Sequence, residues 1–340
     1  MSGAVSSRNP RAGLTRPATT PVVATTTSSI IIVSYNTRAL TLDCIASVYR
    51  ETTPGSFELL IVDNNSSDGS AEAIRAAYPK DRHPELTLFA LEENLGFARA
   101  NNMAAEKAVG KYVLLLNPDT VVLDRALDKL VAFADAHPEY GIYGGSTVFA
   151  DGSPNPTAGW MKPSPWSLFC VATGLAKLFP RSRVFNPESL AGRDWTAPIH
   201  TDIVTGCLFL MRRPDWNELG GFDPRFFMYG EDADLCLRAA HAGLRPVLAP
   251  EARIVHHGGA SEPKRADKMV RLFTAKVQLC RAQYAPLRAE ACVWMLRLWC
   301  LTRITMFAVA APFRKNASMR KTQWIEIWRK RDTWAVPAAV

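Results

Sequence analysis

The run Ile30-Ile31-Ile32-Val33-Ser34 constrains the fold of this chain more than any other feature. An unbroken, β-branched apolar run of this length reads as a strand buried on both faces, because a strand with one wet face would alternate apolar and polar residues. Three similar runs follow at 59–62, 86–89 and 112–116, and the stretches between them, 37–49, 70–78 and 97–109, carry apolar residues at helical spacing. Strands alternating with helices of this length build βαβ units, so the expected class is α/β, a Rossmann-like, mainly parallel sheet with flanking helices. In such sheets ligands gather at the carboxyl ends of the strands.

Those ends are polar. Asp63-Asn64-Asn65 follows the second strand, Glu92-Glu93-Asn94 the third and Asn117-Pro118-Asp119 the fourth. Each cluster taken alone is also a good turn former, but three at successive strand ends converge on one crevice. Asp119 offers the hard carboxylate oxygen that Mg²⁺ and Mn²⁺ favour, and such an ion would neutralise a departing diphosphate.

Further along, Gly220-Gly221-Phe222-Asp223-Pro224-Arg225-Phe226-Phe227-Met228-Tyr229-Gly230 reads as a tight aromatic loop that delivers Glu231, Asp232 and Asp234 to the first turn of a helix over 231–242. Acids there also stabilise a helix through its dipole, which accounts for one or two of them but not for the aromatic wall. His256-His257 follows a short apolar strand, and one neutral imidazole there would complete a metal shell. One strand is expected over 204–211, and loops with short helices over 152–198, a stretch rich in Pro, Trp and Ser that would shape an acceptor cleft.

Taken in order, Val33-Ser34-Tyr35-Asn36, Val62-Asp63-Asn64-Asn65-Ser66-Ser67-Asp68-Gly69-Ser70, Asn94-Leu95-Gly96-Phe97-Ala98, Asn117-Pro118-Asp119, Thr205-Gly206, Gly221-Phe222-Asp223, Gly230-Glu231-Asp232-Ala233-Asp234-Leu235 and His256 resemble the family 2 glycosyltransferases of the GT-A fold, in particular their bacterial rhamnosyltransferase-like branch. The resemblance covers about residues 30–260. It implies an inverting transferase that moves a sugar from a nucleotide diphosphate donor, a dTDP- or UDP-sugar with dTDP-rhamnose as first choice, to a glycan or lipid-linked acceptor hydroxyl in polysaccharide and cell wall assembly. By position it implies that Asp63 binds the pyrimidine base, with Tyr35 and Asn36 lining the base pocket, and that Asn94, Gly96 and Arg99 lie near ribose and diphosphate. It implies Asp119 and His256 as ligands of a divalent cation, Mg²⁺ or Mn²⁺. It makes Asp232 the general base, with Glu231 orienting it or the acceptor. The family's Asp-x-Asp motif has Asn117 in place of its first acid, so Asn117 is a donor-side residue whose part in ligation is open.

The domain plan that follows is a disordered leader over 1–28, rich in Ser, Thr, Pro, Ala and Arg, then a catalytic domain over 29–262 with its donor half to about 150 and its acceptor half over 151–262, and a basic helical extension over 263–340. The net charge of +8 belongs to that extension. From residue 264 on there are 16 Lys and Arg against 4 Asp and Glu, which leaves 24 against 28 upstream. An acidic body with a basic, Trp-bearing tail suits an anionic membrane surface and argues against nucleic acid as partner. Residues 291–312 are largely apolar but carry Arg297 and Arg303, and a central Arg costs roughly 2.5–3.5 kcal/mol even on the lenient insertion scale. The expected placement is therefore cytoplasmic and peripheral at the inner face of the plasma membrane, with packing between helices, an oligomer interface or a true span as other uses of the same stretch. The seven cysteines form no C-x-x-C pair, which argues against a disulfide framework.

A nicotinamide dehydrogenase would need G-x-G-x-x-G after the first strand, where Ser-Tyr-Asn stands instead. A P-loop is absent, since Gly110-Lys111-Tyr112 lacks the upstream glycine and the hydroxyl residue. The alternative from another class is a non-catalytic nucleotide-sugar-binding scaffold of the same fold, against which the presence of Asp119, Asp232 and His256 counts.

Overall fold

The computed structural model describes residues 26–258 and 265–335. Most of the expected leader, and the expected boundary at 262, lie outside the described residues. In chain order the first half holds β1 (Ser28–Ser34), α1 (Arg38–Glu51), β2 (Phe57–Asp63), α2 (Ser70–Ala77), β3 (Leu86–Ala90), α3 (Gly96–Ala105), β4 (Tyr112–Leu116), β5 (Thr120–Val122), α4 (Ala126–Ala136) and β6 (Tyr140–Val148). Next come β7 (Pro154–Asn155), β8 (Gly159–Trp160), α5 (Pro165–Thr173), α6 (Leu175–Leu178), β9 (Ile199–His200), β10 (Ile203–Val204), β11 (Leu208–Arg212), α7 (Arg213–Glu218), α8 (Glu231–His241) and β12 (Arg245–His256). The chain closes with α9 (Arg265–Gln283), α10 (Pro286–Ala310), α11 (Ala317–Arg329) and α12 (Arg331–Ala335).

The main sheet runs β3-β2-β1-β4-β11-β6-β12-β5. Its first four strands are parallel, β11 enters antiparallel, and β12 pairs parallel with β6. The register explains the unbroken apolar run of β1. Ile30 and Ile32 point into a core shared with α1 and α4, and Ile31 and Val33 into a second core shared with α3 and α8. With both faces covered, each such side chain contributes about 1.5–3 kcal/mol of burial. The chain leaves β1 toward β2 and β3 and returns on the other side as β4, so the topological switch lies between β1 and β4, where a parallel sheet opens its ligand crevice.

Residues 120–148 carry β5, α4 and β6, elements beyond those that apolar spacing singles out. The single strand expected over 204–211 is instead two, β10 and β11, broken at Thr205-Gly206-Cys207. The Thr205 hydroxyl donates to Thr157 O at 2.8 Å there, and Gly206 turns its N–H toward α8. The C-terminal helices form their own apolar core around Phe273, Val277, Leu296 and Trp334, and Leu168 of α5 is part of it. All seven cysteines are free and buried, as expected of a chain without a disulfide framework.

Candidate active site

The loops after β1 and β2 are stitched together. Asn36 N–H donates to Ser66 Oγ (2.9 Å), its Oδ1 accepts from Ser67 N (2.8 Å), and Arg38 N–H donates to Asp68 Oδ2 (2.9 Å). Asn36 thus ties two loops and is not part of the cavity wall, whereas Tyr35 beside it lines the cavity. Asp63 ends β2 almost fully buried. Its Oδ2 accepts from Ser66 N at 3.2 Å, and its Oδ1 has no partner among the described residues, an acceptor left over for a ligand N–H.

Asn94 is held by Asn64, whose Nδ2 donates to Asn94 Oδ1 (3.0 Å) while its Oδ1 accepts from Leu95 N (2.8 Å). Asn94 Oδ1 also accepts from Gly96 N. Gly96 has a φ of +78°, and a Cβ there would lie 2.5 Å from Phe227 O, so only glycine fits. The next residue, Phe97, donates its N–H to the same Phe227 oxygen at 2.8 Å. The donor-side loop is therefore fastened to the aromatic loop before α8. Arg99 departs from expectation: α3 starts at Gly96, which turns Ala98 and Ala100 to the sheet and leaves Arg99 exposed, outside the cavity lining.

Asn117, Asp119 and His256 do share the cavity, together with Asn94, Gly96, Glu231 and Asp232. Its volume is about 1120 Å³. His256 ends β12, which pairs with β5 directly after Asp119, so His256 Nε2 stands 3.5 Å from Asp119 Oδ1. Thr157 Oγ1 lies 3.3 Å from His256 Nδ1 and fixes the ring, a partner that no motif in the sequence marks. His257 faces solvent. Burial alone would raise the Asp119 pKa, yet the hydrogen bond and charge of His256 hold it below the ordinary aspartate value. Burial likewise works against a charged His256, but Asp119 and Cys207 outweigh it and raise its pKa to about 10.

On α8 the acids diverge. Asp234 turns to Arg238 (2.7 Å), whose guanidinium also donates to Leu219 O and Gly221 O, so this acid secures the preceding glycine loop. Asp232 stays at the cavity, accepting from Gly206 N (3.1 Å) and Ala233 N (2.7 Å). Glu231 is buried, and its Oε2 has no partner among the described residues. Burial raises the pKa of both, and the charge of Asp232 raises that of Glu231 further. The two backbone donors and the α8 amino end favour the charge on Asp232, so the proton of the pair sits on Glu231.

The match to the sequence model of Glycosyl transferase family 2 extends over residues 29–218, more than half of the chain. The chain belongs to this family. A second model, the N-terminal domain of galactosyltransferase, matches 187–259, the stretch that holds Asp232 and His256. The family member is 31% identical over 252 residues to the O-antigen biosynthesis protein RfbC of Myxococcus xanthus, an alignment of 73% of this chain and 18% of that protein. It is 32% identical over 213 residues to the N-acetylglucosaminyl-diphospho-decaprenol L-rhamnosyltransferase of Mycobacterium tuberculosis, which covers 58% of this chain and 66% of that one. The chain thus spans less than two thirds of either relative. A mannosyltransferase from Pyrobaculum calidifontis, solved with GDP-Man and Mn²⁺, superposes with a TM-score of 0.57 at 21% identity over 89% of this chain and 86% of its own. The fold is accordingly GT-A, and the chain is a family 2 glycosyltransferase similar to an L-rhamnosyltransferase.

Proposed function

We propose that this glycosyltransferase moves rhamnose from dTDP-rhamnose to a hydroxyl of a lipid-linked glycan, with inversion and with a divalent cation, during cell-surface polysaccharide assembly. The observation that carries the reading is the carboxylate of Asp232 in the first turn of α8, held by two backbone N–H donors in the same cavity as Asp119 and His256. Asp232 takes the proton of the acceptor hydroxyl as that oxygen bonds to the anomeric carbon. The bond from that carbon to the donor phosphate breaks on the opposite side, and the nucleoside diphosphate leaves with the electron pair. Glu231, holding its proton, keeps a second negative charge away from Asp232 and offers an O–H donor to the acceptor. Unpartnered Asp63 Oδ1 is the acceptor for the base, with Tyr35 beside it.

Asp119 and His256 would hold a Mg²⁺ or Mn²⁺ ion as a carboxylate and imidazole pair, with the ion displacing the proton that His256 carries in its absence. No three such side chains converge among the described residues, so the other positions fall to diphosphate oxygens and water, the usual arrangement for these cations. When bound, the ion would offset the charge of the leaving diphosphate. Residues 29–262 would form the catalytic body, and the C-terminal helices its membrane-facing extension. α10 is long and apolar enough to cross a membrane by length and composition. Its Cys292, Val293, Leu296 and Cys300 are nevertheless buried against other helices, and Arg303 donates to Val171 O. Trp294, Leu301, Met306 and Val309 face outward, which suits a helix lying on a bilayer at its cytoplasmic side.

The test is release of nucleoside diphosphate from dTDP-, UDP- and GDP-sugars by the purified chain, with and without Mn²⁺ or Mg²⁺, with Asp232→Asn in parallel. Metal-dependent turnover of dTDP-rhamnose that the variant loses is the expected result. Turnover of another donor moves the assignment to that sugar, and binding without turnover on any donor or lipid-linked acceptor would replace it with the scaffold reading.

A further inference from the structure

Most aromatic side chains that line the Asp232 cavity already have a partner or a place in the donor half. Tyr35 stands after β1, and Phe97 packs on Phe222. Phe227 and Tyr229 lie under the Arg271 guanidinium (5.6 Å) and the Lys268 ammonium (5.8 Å), with Asp267 on the same wall. Trp299 packs on Phe273 and Trp324. Trp160 differs. It lines the cavity with 36% of its surface exposed, and among the described residues its ring meets no other ring or cation and its indole N–H no acceptor.

The backbone under this ring is pinned on every side. Trp160 pairs with Ile203 in the β8–β10 ribbon, and both side chains face the cavity while Val204 turns to the core. The Thr201 hydroxyl donates to Trp160 O (2.7 Å), Met161 N–H to Glu188 O (3.0 Å), Lys162 N–H to Asp202 Oδ2 (2.8 Å) and the Tyr284 hydroxyl to Pro163 O (2.7 Å). A bare ring on so fixed a strand is a preorganised contact surface. The ribbon also leads to Asp232. Gly206, which donates to the Asp232 carboxylate, follows three residues after Ile203. That is at most about 10 Å of chain, a gap that an indole and one pyranose ring together bridge.

Glu188, tied to Met161 through its backbone, brings an ion pair to the same wall. Its Oε2 accepts from Lys276 Nζ at 2.8 Å and its Oε1 from Ser167 Oγ at 2.6 Å, and both charged side chains line the cavity. The pair has no net charge and so offers little to an anion. Lys276 nevertheless keeps N–H donors, and Glu188 lone pairs, for a ligand. A donor and an acceptor side by side, next to an uncovered aromatic face, complement a sugar ring, which presents C–H bonds on its face and hydroxyls at its edge.

We infer that Trp160 and the Glu188–Lys276 pair select the sugar that receives the transfer: an uncharged pyranose whose C–H face stacks on the indole and whose hydroxyls beside the reacting one bond to Lys276 and Glu188. The inference rests on the transferase reading above and assigns the residues that choose the acceptor ring.

The measurement is saturation-transfer NMR on the full chain with Mg²⁺ and UDP, against the methyl glycosides of glucose, galactose, mannose, rhamnose and N-acetylglucosamine, with methyl glucuronide as the anionic counterpart. At least one neutral glycoside should bind, more tightly than the glucuronide and with transfer strongest to the C–H protons of one ring face. Trp160→Ala should weaken it about fivefold, the scale of an aromatic stack. Trp160→Phe should restore most of that loss, and UDP affinity should stay unchanged in both variants. Glu188→Gln leaves the Lys276 charge unmatched and should raise the preference for glucuronide over glucoside roughly tenfold, the worth of one hydrogen bond to a charged group. A pair with a purely structural role would not move that ratio. Failure of every neutral glycoside to bind overturns the inference, as does a wild-type preference for the glucuronide or an unchanged affinity in Trp160→Ala. A chain that holds the glycoside in this way but binds neither UDP nor dTDP sinks the donor reading and leaves the sugar subsite standing.

Discussion

Two pairs of titratable side chains line one cavity, and their surroundings set them to opposite states. Asp119 sits beside an imidazole and is held ionised. Glu231 sits in an apolar wall beside a carboxylate and is held protonated. The same side-chain chemistry is thus charged at one strand end and protonated at a helix start: burial raises both pKa values, the neighbouring carboxylate adds to it at Glu231, and the imidazole overcomes it at Asp119. Asp232 and Asp234, two residues apart on one helix, repeat the contrast: one accepts backbone N–H groups at the cavity, the other an arginine behind it.

The sharpest way to break the comparison is Asp232→Asn. Turnover should fall about 10²–10⁴-fold, the range of general-base assistance, with nucleotide affinity unchanged in a titration. His256→Gln attacks the other pair and should weaken Mn²⁺ binding about 10- to 100-fold, the scale on which even outer partners of a metal ligand act, as read by electron paramagnetic resonance. Asp234→Asn should cost about 1.5–3 kcal/mol of stability, the worth of a hydrogen bond to a charged partner, in urea unfolding. It should leave the chemistry of the intact fold in place, and a loss of turnover as deep as that of Asp232→Asn would erase the distinction between the two acids. The last effect is a slope with pH and concerns Glu231. An unfolded chain releases this proton near the ordinary glutamate value of 4.5, and the folded chain keeps it to higher pH. The folded state then binds more protons across that window, so stability is full below it and declines as pH rises, by at most about 1.4 kcal/mol per unit. Glu231→Gln should flatten that slope in urea midpoints measured from pH 5 to 8.

The sequence made β1, β2 and β4 legible because each holds an unbroken apolar run covered on both sides, and β3, the half-buried edge strand, by its short run Leu86-Thr87-Leu88-Phe89. β6 escaped that reading, since Gly144-Gly145 interrupts its apolar pattern; a Cβ at Gly145 would stand 2.0 Å from Ala252 O of β12, so close strand packing demanded the interruption. Asp119, His256, Glu231 and Asp232 were found by motif order and do meet in one cavity. Arg99 lies outside the cavity because the phase of α3 depends on where Gly96 starts it, and Asn36 because its side chain closes a loop contact thirty residues away.

The contact of Gly96 and Phe97 with the Phe227 carbonyl has a thermodynamic corollary. One oxygen joins the loop after β3 to the loop that leads into Glu231 and Asp232, so under the proposed function a nucleotide that ordered the first loop would order the second with it. Linkage is reciprocal: whatever factor the nucleotide adds to acceptor affinity, the acceptor must return to the nucleotide, and a single backbone hydrogen bond is the place where that cooperativity can be broken.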